Sequence, residues 1–194
     1  MVLKKRFIFT VTNGRSGQAS LKKILSSCVK KSYITFEAPN ISPLFAGFLG
    51  DIERRFRRNF IETHELLGRG KVLSSFDKGD YIYINKIVSK RLLNIKSKME
   101  YDSLNTYIDI SKYFARGLHC GYIDQLDELS LIHLVRDPIS NMRSFMNRSK
   151  DFTLDNNLPD FKSNIITLDS GTLSKEELYL WSWCEMCLRF ESLR

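Results

Sequence analysis

Residues 7–21 read FIFTVTNGRSGQASL, and this stretch predicts a short buried strand, a polar loop bracketed by glycines and the first turn of a helix. Glycines let the loop backbone curl inward, and the N–H groups at a helix start carry partial positive charge toward a phosphate or sulfate. The loop carries Arg15 between Gly14 and Gly17, where a P-loop would carry a lysine. The sequence therefore predicts an anion site after the first strand, built around an arginine.

The chain has the size and composition of one globular domain. Its 194 residues are 43% hydrophobic and 27% charged, so we expect a single domain over residues 1–194 with a sizeable core. The net charge of +8 favours a polyanionic partner: a nucleotide, a sulfated or phosphorylated molecule, nucleic acid or an anionic membrane. No apolar run reaches the ~18 residues of a membrane span. The basic start leads into a strand-like run rather than a signal peptide, so we expect a cytoplasmic protein.

Strand and helix patterns alternate along the chain. Four segments have the apolar composition of strands: Lys5–Val11, Ser32–Glu37, Thr106–Ile110 and Leu129–Val135. Helical spacing or capping signals mark four others: Gly17–Val29, much of residues 43–100 (within which Tyr81–Lys98 follows Asp80), a segment that begins at Pro138 and one that begins at Ser174. Strand–helix–strand order implies parallel pairing. The predicted fold class is therefore α/β, with a central parallel sheet flanked by helices.

The same patterns predict which parts are buried. The fourth strand is almost continuously apolar, as a strand buried in a parallel sheet should be. One face of the first helix should be buried: Leu21, Ile24, Leu25 and Cys28. Cys184 and Cys187 are interpreted as two buried helix cysteines rather than as metal or redox groups. Residues 151–171 are polar and predict a long loop. The last helix is still apolar where the sequence stops, which suggests that the C-terminal part of the domain is missing.

A second arginine follows the fourth strand. Arg136 stands at the carboxyl end of Leu129–Val135, and open α/β sheets bind ligands at that edge. Ser144 lies two turns into the next helix, so arginine and hydroxyl could bind the same terminal phosphate. The alternative is a local ion pair between Arg136 and Asp137. Because both arginine motifs follow parallel strands at one edge, we favour the phosphate site.

Together the two motifs resemble a known family. Arg15-Ser16-Gly17 after a strand, and Val135-Arg136-Asp137-Pro138 followed by Ser144, are similar to motifs of the sulfotransferases that use 3′-phosphoadenylyl sulfate (PAPS), in the arginine-type form of carbohydrate and bacterial members. The resemblance implies a P-loop-like three-layer fold. It assigns the 5′-phosphosulfate to a loop formed by Gly14, Arg15, Ser16, Gly17, Gln18, Ala19 and Ser20. It assigns the 3′-phosphate to Arg136 and Ser144.

The resemblance also implies an activity, the transfer of a sulfuryl group to a hydroxyl or amine acceptor. Such transfer needs in-line geometry and positive charge around the moving group, which Arg15 would supply. Several arginine-type members place a catalytic glutamate near the end of the second strand, so the resemblance implies Glu37 as general base, beside the first loop. Alternatively, Glu37 binds Arg15 or a loop N–H. The sequence leaves the acceptor open among glycans, small molecules and proteins.

Three histidines are the other candidate acid–base groups. His133 falls in the fourth strand and is interpreted as a core residue, His119 falls in a predicted turn, and His64 in the helical region could border the acceptor pocket. None has the spacing of a metal ligand, so no metal is predicted. The run Arg54–Arg58 is either a solvated helix face or a docking patch for an acidic substrate or anionic glycan.

Two other functions stay open at this point. A P-loop kinase or NTPase would bind nucleotide at the same loop, but Gln18 stands where its lysine belongs and Ala19 where its magnesium-binding hydroxyl belongs. A catalytically inactive basic module would bind nucleotide or nucleic acid through charge alone. The chain lacks an RNP-like aromatic pattern, a zinc finger and a basic tail, so a nucleic-acid partner is not expected.

Overall fold

The structure, a computed structural model, describes residues 4–38, 48–49, 52, 63–147 and 158–194. The arginine run Arg54–Arg58 and residues 151–157 of the predicted loop lie outside these ranges. His64 falls in a helix, but its side chain is not among the described parts. Over the described ranges, no helix has both the length and the apolar character needed to cross a membrane.

Strands and helices alternate through the described residues. The strands are β1 (Arg6–Val11), β2 (Ser32–Phe36), β3 (Thr106–Ile110) and β4 (Ser130–His133). The helices are α1 (Gln18–Cys28), α2 (Thr63–Leu66), α3 (Lys71–Lys78), α4 (Tyr81–Tyr101), α5 (Leu118–Gln125), α6 (Pro138–Met146) and α7 (Lys175–Leu193). Short 3-10 turns cover Phe114–Arg116 and Ser170–Thr172.

The four strands form one parallel sheet in the order β2-β3-β1-β4. Phe9 on β1 lies opposite Asp109 on β3 and Leu131 on β4. Because all strands run in one direction, the loops that leave their carboxyl ends share a single rim of the sheet. The predicted fold class, α/β with a central parallel sheet flanked by helices, is confirmed.

Alternating side chains of β1 give the sheet two faces. Phe7, Phe9 and Val11 are buried in a cluster that includes Ile84 of α4 and Tyr122 of α5. Side chains at alternate positions of a strand point to opposite faces, so the intervening residues face the layer that holds α1, which contacts β2 and β3. The sheet is therefore covered from both sides.

Helix starts follow the capping signals in the sequence. Asp80 caps α4 by accepting a hydrogen bond from the N–H of Tyr83. Ser174 and Glu177 form the predicted capping box of α7. A polar side chain that accepts an otherwise unpaired N–H stabilises a helix by about 1 kcal/mol, which explains why these boundaries are readable from sequence.

The fourth strand differs from its prediction. β4 spans four residues that are exposed or half-buried, because it forms one edge of the sheet in the described part of the chain. The expectation of a fully buried strand is therefore wrong. His133 is half-buried rather than a core residue. Its ring stacks on Phe190 at 4.2 Å between centroids, and burial lowers its pKa.

Three predictions of burial or local structure are also wrong. On α1, Ile24 is 58% exposed and Cys28 is exposed, because the helix packs mainly on β2 and β3, toward one side of the sheet. Cys184 is exposed because it lies on the outer side of α7. His119 lies in α5 rather than in a turn. Gly117, at φ 133°, makes the turn itself and α5 starts at the next residue.

Candidate functional site

The loop between β1 and α1 turns sharply at two residues. Arg15 (φ 71°) and Gly17 (φ 97°) both adopt left-handed backbone conformations. This conformation suits glycine but strains an arginine, and such strain concentrates at functional sites. Gly17 is the N-cap of α1, and no described side chain caps this helix start. The first N–H groups of α1 therefore lack a side-chain acceptor among the described residues, and such a helix start suits an anion.

The two arginine motifs of the sequence meet in space. Nε of Arg15 donates to Oγ of Ser144 at 3.3 Å, and Nη1 of Arg136 donates to the carbonyl oxygen of Arg15 at 3.3 Å. The bases of both loops are joined as well, because Thr12 donates to the carbonyl oxygen of Leu134 at 2.7 Å. The structure thus brings Arg15, Arg136 and Ser144 to one point on the rim.

Ser16 is buried and its hydroxyl is used within the protein. It donates to the carbonyl oxygen of Asn13 at 2.8 Å and accepts from Nδ2 of Asn141 at 2.9 Å. The hydroxyl of Tyr179 donates to Oδ1 of Asn141 at 2.7 Å. Side chains of α6 and α7 therefore hold the loop in place, and Ser16 would offer a ligand its backbone N–H rather than its side chain.

The next three loop residues differ in exposure. Ala19 and Ser20 are exposed on the first turn of α1, whereas Gln18 is buried. Nε2 of Gln18 is enclosed and has no hydrogen-bond partner among the described residues. The amide of Gln18 therefore points into the protein, so a hydroxyl from the exposed Ser20 is better placed to meet a ligand.

The second arginine is held by the C-terminal helix and by its own neighbour. Nε1 of Trp183 on α7 donates to the carbonyl oxygen of Arg136 at 3.0 Å. The carboxylate of Asp137 accepts from the N–H of Ser140 at 2.8 Å and caps α6. This hydrogen bond is the main reason that the pKa of Asp137 is lowered, and Arg136 contributes less. The Asp137 carboxylate thus caps α6 rather than pairing with Arg136, and the guanidinium of Arg136 lies on the rim beside the Arg15 loop.

A third cation on this rim, Lys112, was not predicted from the sequence as a site residue. Lys112 follows the end of β3, the strand beside β1. A Cβ atom on Gly14 would lie 3.3 Å from Cδ and 3.8 Å from Nζ of Lys112. The absence of a side chain at Gly14 therefore lets the ammonium group approach the loop backbone. The signal for Lys112 was its place just after a buried strand, where parallel sheets collect functional groups.

A fourth cation lies beneath the rim. Arg116 is buried, and its Nη2 donates to Oδ1 of Asn13 at 3.4 Å. Burial is the largest influence on the pKa of Arg116, which falls to about 10, while the negative charge of Glu37 acts in the opposite direction. A buried guanidinium adds positive potential to the floor of the loop, because the protein interior screens charge poorly.

Glu37 lies on the rim, but not beside the first loop as expected. β3 separates β2 from β1, so Lys112 stands between Glu37 and the arginine loop along the edge. Glu37 has φ 45°, and its N–H donates to the carbonyl oxygen of Ile110 at 3.1 Å. No described side chain or N–H group bonds its carboxylate, so neither alternative partner, Arg15 or a loop N–H, is in contact with it. The order along the rim is Glu37, Lys112, Arg15, Arg136.

His119 is the most deeply buried of the described acid–base candidates. His119 is buried between Phe76 and Phe114, at 5.1 Å and 6.2 Å between ring centroids. Burial, reinforced by the charge of Arg189, lowers its pKa to about 4. His119 is therefore neutral near pH 7 and packed in the core. In the portion of the chain that is described, no cluster of three or more His, Cys, Asp or Glu residues could hold a metal ion.

Comparison with protein-family models, with curated proteins and with solved structures finds no significant match to this chain.

Proposed function

We propose that this protein transfers a sulfuryl group from PAPS to a hydroxyl or amine acceptor. The observation that carries the proposal is the contact of the two anion motifs, with Nε of Arg15 at 3.3 Å from Oγ of Ser144 and Nη1 of Arg136 at 3.3 Å from the carbonyl oxygen of Arg15. A nucleotide with phosphates at its 5′ and 3′ positions presents two anions a short distance apart. A rim with two adjacent guanidinium groups and a free helix N-terminus suits such a ligand.

Each rim residue has a role in this reaction. The helix N-terminus and the exposed side of the Arg15 loop hold the 5′-phosphosulfate, and Arg136 with Ser144 holds the 3′-phosphate. Arg15 and Lys112 neutralise charge on the sulfuryl oxygens and on the leaving phosphate. An arginine stays protonated throughout, so Arg15 acts through its charge and its N–H groups.

The acceptor loses its proton to Glu37. The acceptor oxygen or nitrogen attacks sulfur, the bond between sulfur and the bridging phosphate oxygen breaks, and 3′-phosphoadenosine 5′-phosphate leaves. The proton of the acceptor passes to the Glu37 carboxylate, which accepts no hydrogen bond from a described residue. Because Lys112 lies between Glu37 and Arg15, the acceptor would approach the sulfur across Lys112.

The proposal is tested by following the conversion of PAPS to 3′-phosphoadenosine 5′-phosphate by chromatography. The acceptors are 4-nitrophenol, a monosaccharide and a tyrosine peptide, each in a separate reaction. Arg15→Ala should abolish turnover. Arg6→Ala is the matched control, because Arg6 is an exposed arginine at the opposite end of β1, and it should keep the parent rate.

One result would contradict the role of Arg15, and two would contradict the proposed reaction itself. Full turnover in Arg15→Ala would remove Arg15 from the chemistry. Magnesium-dependent hydrolysis of ATP without conversion of PAPS would favour a kinase or NTPase. Tight binding of an oligonucleotide that survives Arg15→Ala and Arg136→Ala would favour a basic binding module.

A further inference from the structure

A cavity of about 120 Å³ lies between the β2 side of the sheet and helix α4. The rings of Tyr33 and Tyr107 form its wall on the sheet side, and Leu66 and Ile95 form much of the wall on the helix side. Ala38, which directly follows Glu37, also lines it. The cavity therefore adjoins the acidic end of the rim.

The buried polar groups around this cavity are already bonded to one another. Nη2 of Arg91 pairs with Oδ2 of Asp109 at 2.9 Å, and Nε of Arg91 donates to the hydroxyl of Tyr122 at 2.7 Å. Thr35 donates to Oδ1 of Asp109 at 3.0 Å and shares a hydrogen bond of 3.0 Å with the hydroxyl of Tyr107. A ligand in the cavity would contact apolar side chains and polar groups that already form hydrogen bonds with one another.

This lining selects a chemical class. A sugar would lose water from several hydroxyl groups and find few free partners, which is unfavourable. A flat aromatic ring would lose little by leaving water and would pack against the two tyrosines. The volume of about 120 Å³ approaches that of engineered apolar cavities of roughly 150 Å³ that bind benzene. The cavity therefore fits one aromatic ring better than a carbohydrate.

We propose that this cavity binds the ring of a phenolic acceptor, so that the substrate class is a phenol rather than a glycan. The inference rests on the proposed function, because it gives the same reaction its acceptor. The ring lies between Tyr33 and Ile95, and the hydroxyl lies at the Ala38 end, on the side of Glu37. The phenolic oxygen attacks the sulfur of PAPS, the bond from sulfur to the phosphate oxygen breaks, and the phenolic proton passes to the Glu37 carboxylate.

Arg91 fixes the wall next to Glu37. Its Nη1 donates to the carbonyl oxygens of Ala38, at 3.1 Å, and of Leu66. The N–H of Glu37 is held by Ile110 on β3. Strand β3 therefore holds the backbone of Glu37, which would take the proton. It also holds Arg91, which fixes the cavity wall that would contact the ring. A phenol also loses its proton near pH 10, far more readily than an alcohol, so a carboxylate base suffices.

The test measures phenol binding in the absence of nucleotide, so it is independent of sulfuryl transfer. Phenol is titrated into the full chain labelled at Ile, Leu and Val methyl groups, and NMR follows the methyl signals of Ile95 and Leu66. These signals should shift saturably with phenol and stay unchanged with methyl α-glucoside. Asn94→Trp should weaken phenol binding at least tenfold, because Asn94 is an exposed wall residue whose enlargement would block the cavity.

Leu93→Trp is the matched control. Leu93 is the neighbouring residue on α4, is 68% exposed and does not line the cavity, so this variant should bind phenol as the parent does. The inference is overturned if the two methyl signals ignore phenol, if the glucoside shifts them equally, or if Asn94→Trp binds phenol as tightly as Leu93→Trp. Phenol binding without any conversion of PAPS would instead overturn the proposed function and leave the phenol site standing.

Discussion

The hydroxyl of Tyr179 on α7 donates a hydrogen bond of 2.7 Å to Oδ1 of Asn141 on α6, and the amide of Asn141 donates to Ser16 at 2.9 Å. Tyr179 also donates to the carbonyl oxygen of Gly14 at 3.3 Å. The shape of the arginine loop thus depends on a side chain more than 150 residues away in the sequence. The C-terminal helix belongs to the candidate site as much as the loop does.

Tyr179→Phe should loosen the loop. It leaves Oδ1 of the buried Asn141 without this donor, and an unsatisfied buried acceptor costs about 1–3 kcal/mol. The free energy of unfolding should fall by that amount, and the affinity for 3′-phosphoadenosine 5′-phosphate should fall severalfold. Denaturant unfolding and calorimetry measure the two effects. Tyr101→Phe, at a residue that is 88% exposed, should change neither. Equal stability of Tyr179→Phe and the parent would contradict the role of Tyr179.

Gln18→Met tests whether the amide of Gln18 contacts the ligand or is only part of the protein interior. Nε2 of Gln18 is enclosed without a described partner, so replacing the amide with an apolar group of similar size should keep or raise the free energy of unfolding, by up to about 1 kcal/mol. Nucleotide affinity should stay the same. Gln125→Met is the control, since its amide donates to Asn85 and accepts from Ser89, and it should destabilise. A tenfold loss of nucleotide affinity in Gln18→Met would show that the amide contacts the ligand.

Glu185→Gln should be strongly destabilising. The carboxylate of Glu185 is buried, pairs with Arg189 at 2.7 Å and accepts the N–H groups of Ile165 and Ile166 at 3.0 Å and 2.9 Å. The variant takes away the negative charge beside the buried guanidinium of Arg189, which keeps its hydrogen bonds to Ala115 and Asn164, and breaking a buried ion pair costs about 3–5 kcal/mol. Denaturant unfolding measures the loss. Glu191→Gln, exposed on the same helix, is the control, and equal stability of the two variants would contradict the prediction.

His119 should make the fold sensitive to acid. Its pKa is lowered to about 4 from 6.5, mainly by burial. Between these pH values the unfolded chain binds a proton that the folded chain does not, so stability is present above pH 6.5 and is lost as the pH falls toward 4. The contribution is about 3 kcal/mol at 1.36 kcal/mol per pKa unit. The pH dependence of unfolding should be weaker by this amount in His119→Phe, and parallel curves for parent and variant would rule the effect out.

The sheet was predictable because its signals are local. Three strands were placed within a residue of their observed bounds, and Asp80 and Ser174 mark helix starts through their own hydrogen bonds. Strand order is not local. β2 pairs with β3 rather than with β1, and no pattern within Ser32–Phe36 could predict that partner. The prediction that Glu37 lies beside the first loop was wrong because β3 separates β2 from β1.

The burial of β4 and the support of the site needed the tertiary structure. An apolar strand has the same composition at an edge as in the middle of a sheet, so the exposure of β4 was not predictable from Leu129–Val135. Asn141 and Tyr179 act on the arginine loop only because α6 and α7 pack beside it. Arg15, Arg136 and Ser144 could be predicted to lie together, since two parallel strands must end at the same edge.

The most direct measurement is the affinity ratio of two nucleotides, 3′-phosphoadenosine 5′-phosphate and adenosine 5′-monophosphate, which differ only in the 3′-phosphate. Calorimetry should show that the parent protein prefers the bisphosphate at least tenfold, since a charge-assisted hydrogen bond is worth about 1.5–3 kcal/mol. Arg136→Ala should remove this preference, whereas Arg15→Ala and Arg6→Ala should keep it. No binding of either nucleotide, or a preference that survives Arg136→Ala, would contradict the claim that the two arginine loops hold opposite ends of one nucleotide.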